Sequence, residues 1–293
     1  MRHVLNIFVT VLVVAAAATA NAATWNVVPG GGGDATTIQD GINLAANGDV
    51  VVVAPGTYTG PQNRNISFGG KNITVQASAG PLFTVIDCQN LGNGFNFITN
   101  ETAAAVLDGF TIKNGQANKG GGIQIDTASP TIRYCVITNC LANANGGGIF
   151  VKKGDPQIYN NTIDGNNCVI LGGGGGITLG AQSHAKLWQN VVCNSVGGGA
   201  ISCLGAMTGT QLACNDTYAN VGGDAVCFGT ATNFSADPLY CGIAGSGNFF
   251  LQQTSPCAPT FSPCAAGVGA LGVQCQVTAT EGVSWGKVKS MYR

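Results

Sequence analysis

The sequence predicts an all-β solenoid, a right-handed single-stranded parallel β-helix with three short strands in each coil of about 26 residues. Three observations carry that expectation. Glycine clusters closed by an apolar residue recur as Gly120-Gly121-Gly122-Ile123, Gly146-Gly147-Gly148-Ile149, Gly174-Gly175-Gly176-Ile177, Gly198-Gly199-Ala200-Ile201 and Gly222-Gly223-Asp224-Ala225-Val226, their apolar residues standing 26, 28, 24 and 25 apart. Two further apolar columns keep nearly the same step: Val106, Ile132, Ile158, Leu187 and Leu212, then Ile112, Ile137, Ile163, Val192 and Thr217. Finally, 45 of the 293 residues are Gly and only 9% are charged, a composition far from the globular average of about 7% and about 25%. Three in-phase columns leave no room for a helix in each unit, and a unit this small buries its apolar face only by stacking on its neighbours.

The elements follow in chain order. Met1-Arg2-His3, the apolar run Val4 to Ala18 and the small-x-small site Ala20-Asn21-Ala22 form a secretory signal peptide over residues 1–22. About 15 apolar residues fall short of the about 20 that span a bilayer, so no transmembrane segment is expected. One β-helix domain then covers 23–275. Within it, residues 24–60 make an N-terminal cap and first strand. Ile38, Ile42 and Ala45 fall at helical spacing between Thr36 and Asn47, with Thr36-x-x-Gln39 as capping box and Gly48 as stop, and the resulting helix covers the open first coil. Val50-Val51-Val52-Val53 reads as a buried strand closed by Pro55-Gly56. In the coils, corner glycines supply positive φ, and Asn161, Asn190 and Asn215, two residues before the third column, form an asparagine ladder preceded by Phe110 and Cys135. Residues 233–275 read as a last irregular coil, a C-terminal cap with Cys241, Cys257, Cys264 and Cys275 near enough to staple it. In the tail, 276–293, Trp285, Val288 and Met291-Tyr292 share one helical face, which suits a cap helix or a sorting tag as well as a frayed end.

An even set of 12 Cys in an exported chain allows up to six disulfides, with buried thiols as the alternative. Neither a CxxC pair nor Cys/His metal spacing occurs, so no metal site is expected. With 12 Lys and Arg against 13 Asp and Glu, no basic patch is available for nucleic acid. A secreted monomer, extracellular or periplasmic or at the cell surface, is the expectation.

Thr37-Ile38-Gln39-Asp40-Gly41-Ile42 leading into Gly48-Asp49-Val50 and Ala54-Pro55-Gly56-Thr57-Tyr58, then Gly69-Gly70-Lys71-Asn72-Ile73-Thr74-Val75, Leu107-Asp108-Gly109-Phe110-Thr111-Ile112 and Ser129-Pro130-Thr131-Ile132 resemble secreted bacterial right-handed parallel β-helix proteins of the pectate lyase-like superfamily, over roughly residues 24 to 275. The resemblance implies an extracellular polysaccharide or cell-surface glycan as partner. If the chain is an enzyme, it implies a polysaccharide lyase or glycoside hydrolase, with calcium as cofactor for a lyase.

The residues themselves support those activities weakly. Pectate lyases of that superfamily hold calcium on several carboxylates of the first sheet and use a basic residue to take the C5 proton. Here the outward positions after the glycine clusters are Gln124, Phe150, Thr178, Ser202 and Cys227, and two steps further Asp126, Lys152, Gly180 and Leu204. Asp126 and Lys152 are the catalytic candidates, yet a cation that takes six or more oxygens finds one carboxylate among them. The Asn-Thr-Asp, Asp-Asp and Gly-His-Gly segments of polygalacturonases are absent. Pectin methylesterases share Gly56-Thr57-Tyr58, but Gly60 stands where their Glu would be. His184, in a turn beside Ser183 and with no partner within sequence reach, reads as a solvated turn residue. A carbohydrate-binding surface fits better. One step after the second column, Leu107, Arg133, Tyr159, Trp188 and Ala213 point outward, and Arg133, Tyr159 and Trp188 on adjacent coils make a strip for stacking sugar rings, supplemented by Gln124 and Phe150 on the first sheet. A structural or adhesion protein without chemistry is the alternative, with the strip as cross-coil packing.

Overall fold

The computed structural model describes residues 22–170, 173–227, 232–242 and 247–275. The signal peptide expected over residues 1–22, Ala22 apart, and the tail 276–293 lie outside the described residues. What is described is a stack of coils carrying three long parallel sheets. Sheet 1, after the glycine clusters, has six strands from Ile66–Ser67 to Ile201–Leu204. Sheet 2 has eight, from Thr24–Val27 to Gln211–Ala213, and sheet 3 has seven, from Gly56–Tyr58 to Asp216–Tyr218. Each strand pairs with its counterpart in the next coil. Ile123, Ile149, Ile177 and Ile201 are in register in sheet 1, Ile132, Ile158, Leu187 and Leu212 in sheet 2, and Ile112, Ile137, Ile163, Val192 and Thr217 in sheet 3. All of them are buried. Parallel strands step by about 4.8 Å, so each column becomes a continuous line of apolar contact through one core.

Several expectations are corrected in detail. Leu107, not Val106, pairs with Ile132 and lies in the core, which turns Asp108 outward. Three consecutive coils add a fourth short strand at the corner into sheet 1: Gln116–Lys119, Leu141–Asn145 and Asn167–Cys168. The strand Val50–Val53 is half-buried, with Val51 and Val53 inside and Val50 and Val52 facing out. The cap helix α1 is Ile38–Leu44, with Thr37 as N-cap, its hydroxyl accepting from the Asp40 N–H, and with Ala45 rather than Gly48 at its end. Ile38, Gly41 and Ile42 are its buried face; a Cβ at Gly41 would clash with Val27 Cγ2, so glycine lets the helix sit this close to the first coil.

The glycine clusters serve two purposes. Gly120 and Gly146 take φ of +61° and +65°, whereas the third glycine of the same two clusters is required by close approach. A Cβ at Gly122 would meet Ile137 Cγ2 at 2.5 Å and one at Gly148 would meet Ile163 Cγ2 at 2.8 Å. At the corner between sheets 2 and 3 the positive φ is carried by Tyr134, Asn160, Gln189 and Cys214 instead.

That corner holds the asparagine ladder. Asn161 Nδ2 donates to Asn190 Oδ1 at 3.0 Å, Asn190 Nδ2 to Asn215 Oδ1 at 2.9 Å, and Asn215 Nδ2 to Asn233 Oδ1 at 3.0 Å, one coil further than expected. Each amide also donates into the preceding coil, to the Ile132, Ile158 and Leu187 carbonyls. Cys135 fills the ladder position with a thiol, donating to Arg133 O at 3.2 Å as Asn161 Nδ2 donates to Tyr159 O. A second ladder, not anticipated, lines the corner between sheet 3 and sheet 1. There Asn166 accepts from Cys140 N–H and donates to Ile137 O, Asn220 accepts from Ser195 N–H and donates to Val192 O, and the Cys140 thiol donates to Thr138 O at 3.4 Å. Unmade bonds here would cost about 1 to 3 kcal/mol each.

The C-terminal segment is not a simple end cap. Phe234 completes a last half-coil through hydrogen bonds with Asn215 and Thr217. The chain then folds back as a strap along the outer face of sheet 3. Phe249 and Ala270 pack on Val136, while Leu251, Cys257 and Val268 pack with Val191 and Cys193. Gly269 N–H donates to Gln189 O and Ala270 N–H to Thr162 Oγ1. Three disulfides form, Cys203–Cys227, Cys214–Cys264 and Cys241–Cys275, and the other six cysteines are buried thiols. Cys257, expected among the staples, is one of them.

Candidate functional site

Alternation along the strands gives sheet 2 two outward columns. Thr131, Gln157, Lys186 and Gln211 make the first; Asp108, Arg133, Tyr159, Trp188 and Ala213, two residues later on the same strands, make the second. In the second column Arg133 is committed to its neighbours. Its Nε and Nη2 each lie 2.8 Å from Asp108 Oδ2, and Nη1 donates to Tyr159 Oη at 3.2 Å. Tyr159 and Trp188 stack on each other, with ring centroids 4.4 Å apart and planes 12° from parallel. Tyr134 meets Tyr159 edge-on at 6.3 Å. The rings therefore stand like leaves of a book across the column rather than lying flat on the sheet.

Beside the first column, turns from five successive coils line an open cavity of about 620 Å³ formed by Ala103, Ser129, Asp155, Gln157, His184, Lys186, Thr208 and Gly209. His184 Nδ1 lies 2.8 Å from Asp155 Oδ1, both side chains about half-exposed, and Ser129 Oγ accepts from the Asp155 N–H at 3.0 Å. His184 thus has a partner 29 residues away, one coil back, which its sequence neighbourhood concealed. Lys186 projects into the same cavity with no carboxylate in ion-pair range among the described residues.

The other candidates are less open. On sheet 1, Asp126 and Lys152 form an ion pair with each other at 2.7 Å, so each neutralises the group that would serve as ligand or base. Gln124 lies half-buried between Asn96 and Phe150 on adjacent strands. Phe150 is 2% exposed, with the Lys119 ammonium 5.2 Å from its ring centroid, and offers no face to a sugar. Among the described residues no three His, Cys, Asp or Glu side chains converge on a point.

Beneath the strap lie two thiol–carboxylate pairs. Cys193 Sγ is 3.1 Å from Asp164 Oδ1 and 3.3 Å from Tyr240 Oη, and Cys257 Sγ is 3.0 Å from Asp216 Oδ2. Burial pushes the Asp216 carboxyl up to about 6 and raises Asp164 as well. The same burial drives the Cys193 thiol well above its usual range, the reverse of what a nucleophile needs.

No family model matches the chain, and no curated protein matches it. Among solved structures the chain is similar to a pectin methylesterase from carrot at 10% sequence identity, with a TM-score of 0.34 over 73% of this chain and 88% of that one.

Proposed function

We propose that this is a secreted glycan-binding solenoid, and that it binds extracellular polysaccharide on the outer face of sheet 2. The observation that supports this is the union, on one face, of an aromatic column and an open cavity into which polar side chains project. Trp188 supplies apolar aromatic surface, while Gln157 and Lys186, about 7 Å away along the same strands, and the His184–Asp155 pair in the turns before them supply donors and acceptors. Binding sites for small polar molecules combine those two ingredients in a concavity. The direct pairing of Asp126 with Lys152 weighs against a lyase centre on sheet 1.

A glycan array probed with the mature protein tests the proposal. Trp188→Ala combined with Lys186→Ala is expected to lower retention by at least about tenfold, the equivalent of about 1.4 kcal/mol. Retention unchanged in the double variant, or no retention by the parent chain, leaves the structural or adhesion alternative standing. A parallel incubation with polygalacturonate and alginate, with and without calcium, is expected to yield no unsaturated product; its appearance would return the chain to the lyases.

A further inference from the structure

We infer that the site takes a single sugar ring in a slot beside Trp188, and does not run an extended chain along the aromatic column. This rests on the glycan-binding proposal and specifies which part of the glycan is held. A flat strip would offer one ring face per coil, at steps of about 4.8 Å, to a chain laid along the solenoid. Tyr159 and Trp188 instead face each other at 4.4 Å and 12°, so two of their four faces are consumed. On Tyr159's far side the next residue is Arg133, hydrogen-bonded to the Tyr159 hydroxyl and tied to Asp108. The remaining face is that of Trp188 toward the following coil.

In that coil the paired position is Ala213, which presents a methyl group where its predecessors present rings. The ring stack therefore ends at Trp188, and over Ala213, on the last strand of sheet 2, a methyl stands where a ring would, which leaves a gap about one ring thick against the indole. Two residues earlier on the same strands, Lys186 and Gln211 are paired and exposed, forming the polar rim of the gap on the cavity side. A pyranose set into the gap would cover the indole with its C–H face, bury apolar area that water otherwise wets, and turn its rim hydroxyls to the Gln211 amide and the Lys186 ammonium. Substituents beyond that ring lead into the cavity holding His184 and Asp155. The ligand class is thus a glycan with an accessible end or branch residue whose ring has an uninterrupted apolar face.

Titration calorimetry on the mature protein tests this with the methyl glycosides of glucose, galactose, mannose and xylose and their β-linked tetrasaccharides. At least one methyl glycoside is expected to bind within about threefold of its tetrasaccharide, and Trp188→Ala to abolish that binding. Ala213→Trp is the decisive variant, because it extends the ring stack and fills the gap. It is expected to weaken binding by at least about tenfold while the melting temperature holds or rises, and Ala213→Phe carries the same expectation if the indole disturbs the coil. A tetrasaccharide preferred by more than about tenfold, or Ala213→Trp binding as well as or better than the parent chain while Trp188→Ala loses binding, overturns the single-ring slot and keeps the glycan proposal. Binding by none of these probes, or binding indifferent to Trp188→Ala, overturns both.

Discussion

Sheets 2 and 3 are made from the same coils by the same alternation, yet their outer faces meet opposite surroundings. On sheet 2 Arg133, Tyr159, Trp188, Lys186 and Gln211 all stay at least partly exposed. Arg133 finds Asp108, Trp188 finds Tyr159, His184 finds Asp155, and a cavity opens between them. On sheet 3 the strap covers the corresponding residues, so that Val136, Val191, Cys193 and Asp216 are buried on the side away from the coil core. The difference lies in what the rest of the chain lays on each face. A coil repeat determines which side chains point outward, and the C-terminal segment then decides which outward face can receive a ligand.

The largest effect is expected at the corner the two faces share. Asn190→Leu leaves the buried Asn161 N–H without its partner and removes three further side-chain bonds, from Asn161 Nδ2 to Asn190 Oδ1 and from Asn190 Nδ2 to Ile158 O and to Asn215 Oδ1. With one orphaned group at about 1 to 3 kcal/mol and three lost bonds at about 1 kcal/mol each, urea denaturation should report a loss of about 4 to 6 kcal/mol. An unchanged midpoint would mean the ladder does not hold the two faces together.

Next comes the proton linkage of the covered face. The folded chain keeps the Asp216 proton up to about pH 6, whereas the unfolded chain releases it near 4. The linked stability is therefore complete below about pH 4 and is lost as pH rises through about 6, a change of about 3 kcal/mol that Asp216→Asn should remove. The difference between parent and variant across that window is the quantity to measure, because Asp49, held low by the Ala46 N–H, titrates in the opposite sense. A constant difference from pH 4 to 7 would show that the strap leaves Asp216 accessible to water. The smallest effect belongs to an open face. Lys152, its side chain 57% exposed, pairs with Asp126 in solvent, and Lys152→Ala should shift stability by less than about 1 kcal/mol. A larger loss would show that sheet 1 is shielded too.

Repetition made most of the coil stack legible, because five in-phase glycine clusters leave few alternatives. Even the first member of the second column is legible: second- and third-sheet core residues stand five apart at Ile132/Ile137, Ile158/Ile163, Leu187/Val192 and Leu212/Thr217, and Leu107, not Val106, keeps that offset from Ile112. The second ladder was hidden because Cys140, Asn166, Ser195 and Asn220 differ in type and share only geometry. Arg133, Tyr159 and Trp188 were correctly placed on one face, but ring orientation is a matter of χ angles and neighbours that spacing does not encode. His184 and Asp155 are separated by a whole coil, and Phe150 is covered by Lys119 from the unanticipated fourth strand. The strap has no repeat, so no period could place it.

The division of the cysteines bears on how the chain reaches this state. Cys88, Cys135, Cys140 and Cys168 all precede Cys203, the first cysteine to enter a disulfide. A thiolate must be reached by an oxidant or another disulfide to react, and these thiols are at most 1% exposed once their coils have closed. Chains emerge and fold from the N-terminus, so early coils that stack before residues 203–275 arrive take four competitors out of circulation. Of the cysteines that remain, six must find one another while Cys193 and Cys257 are sequestered only when the strap docks. Oxidative refolding of the intact chain, in which every cysteine is available at once, should therefore scramble more than folding in order of synthesis.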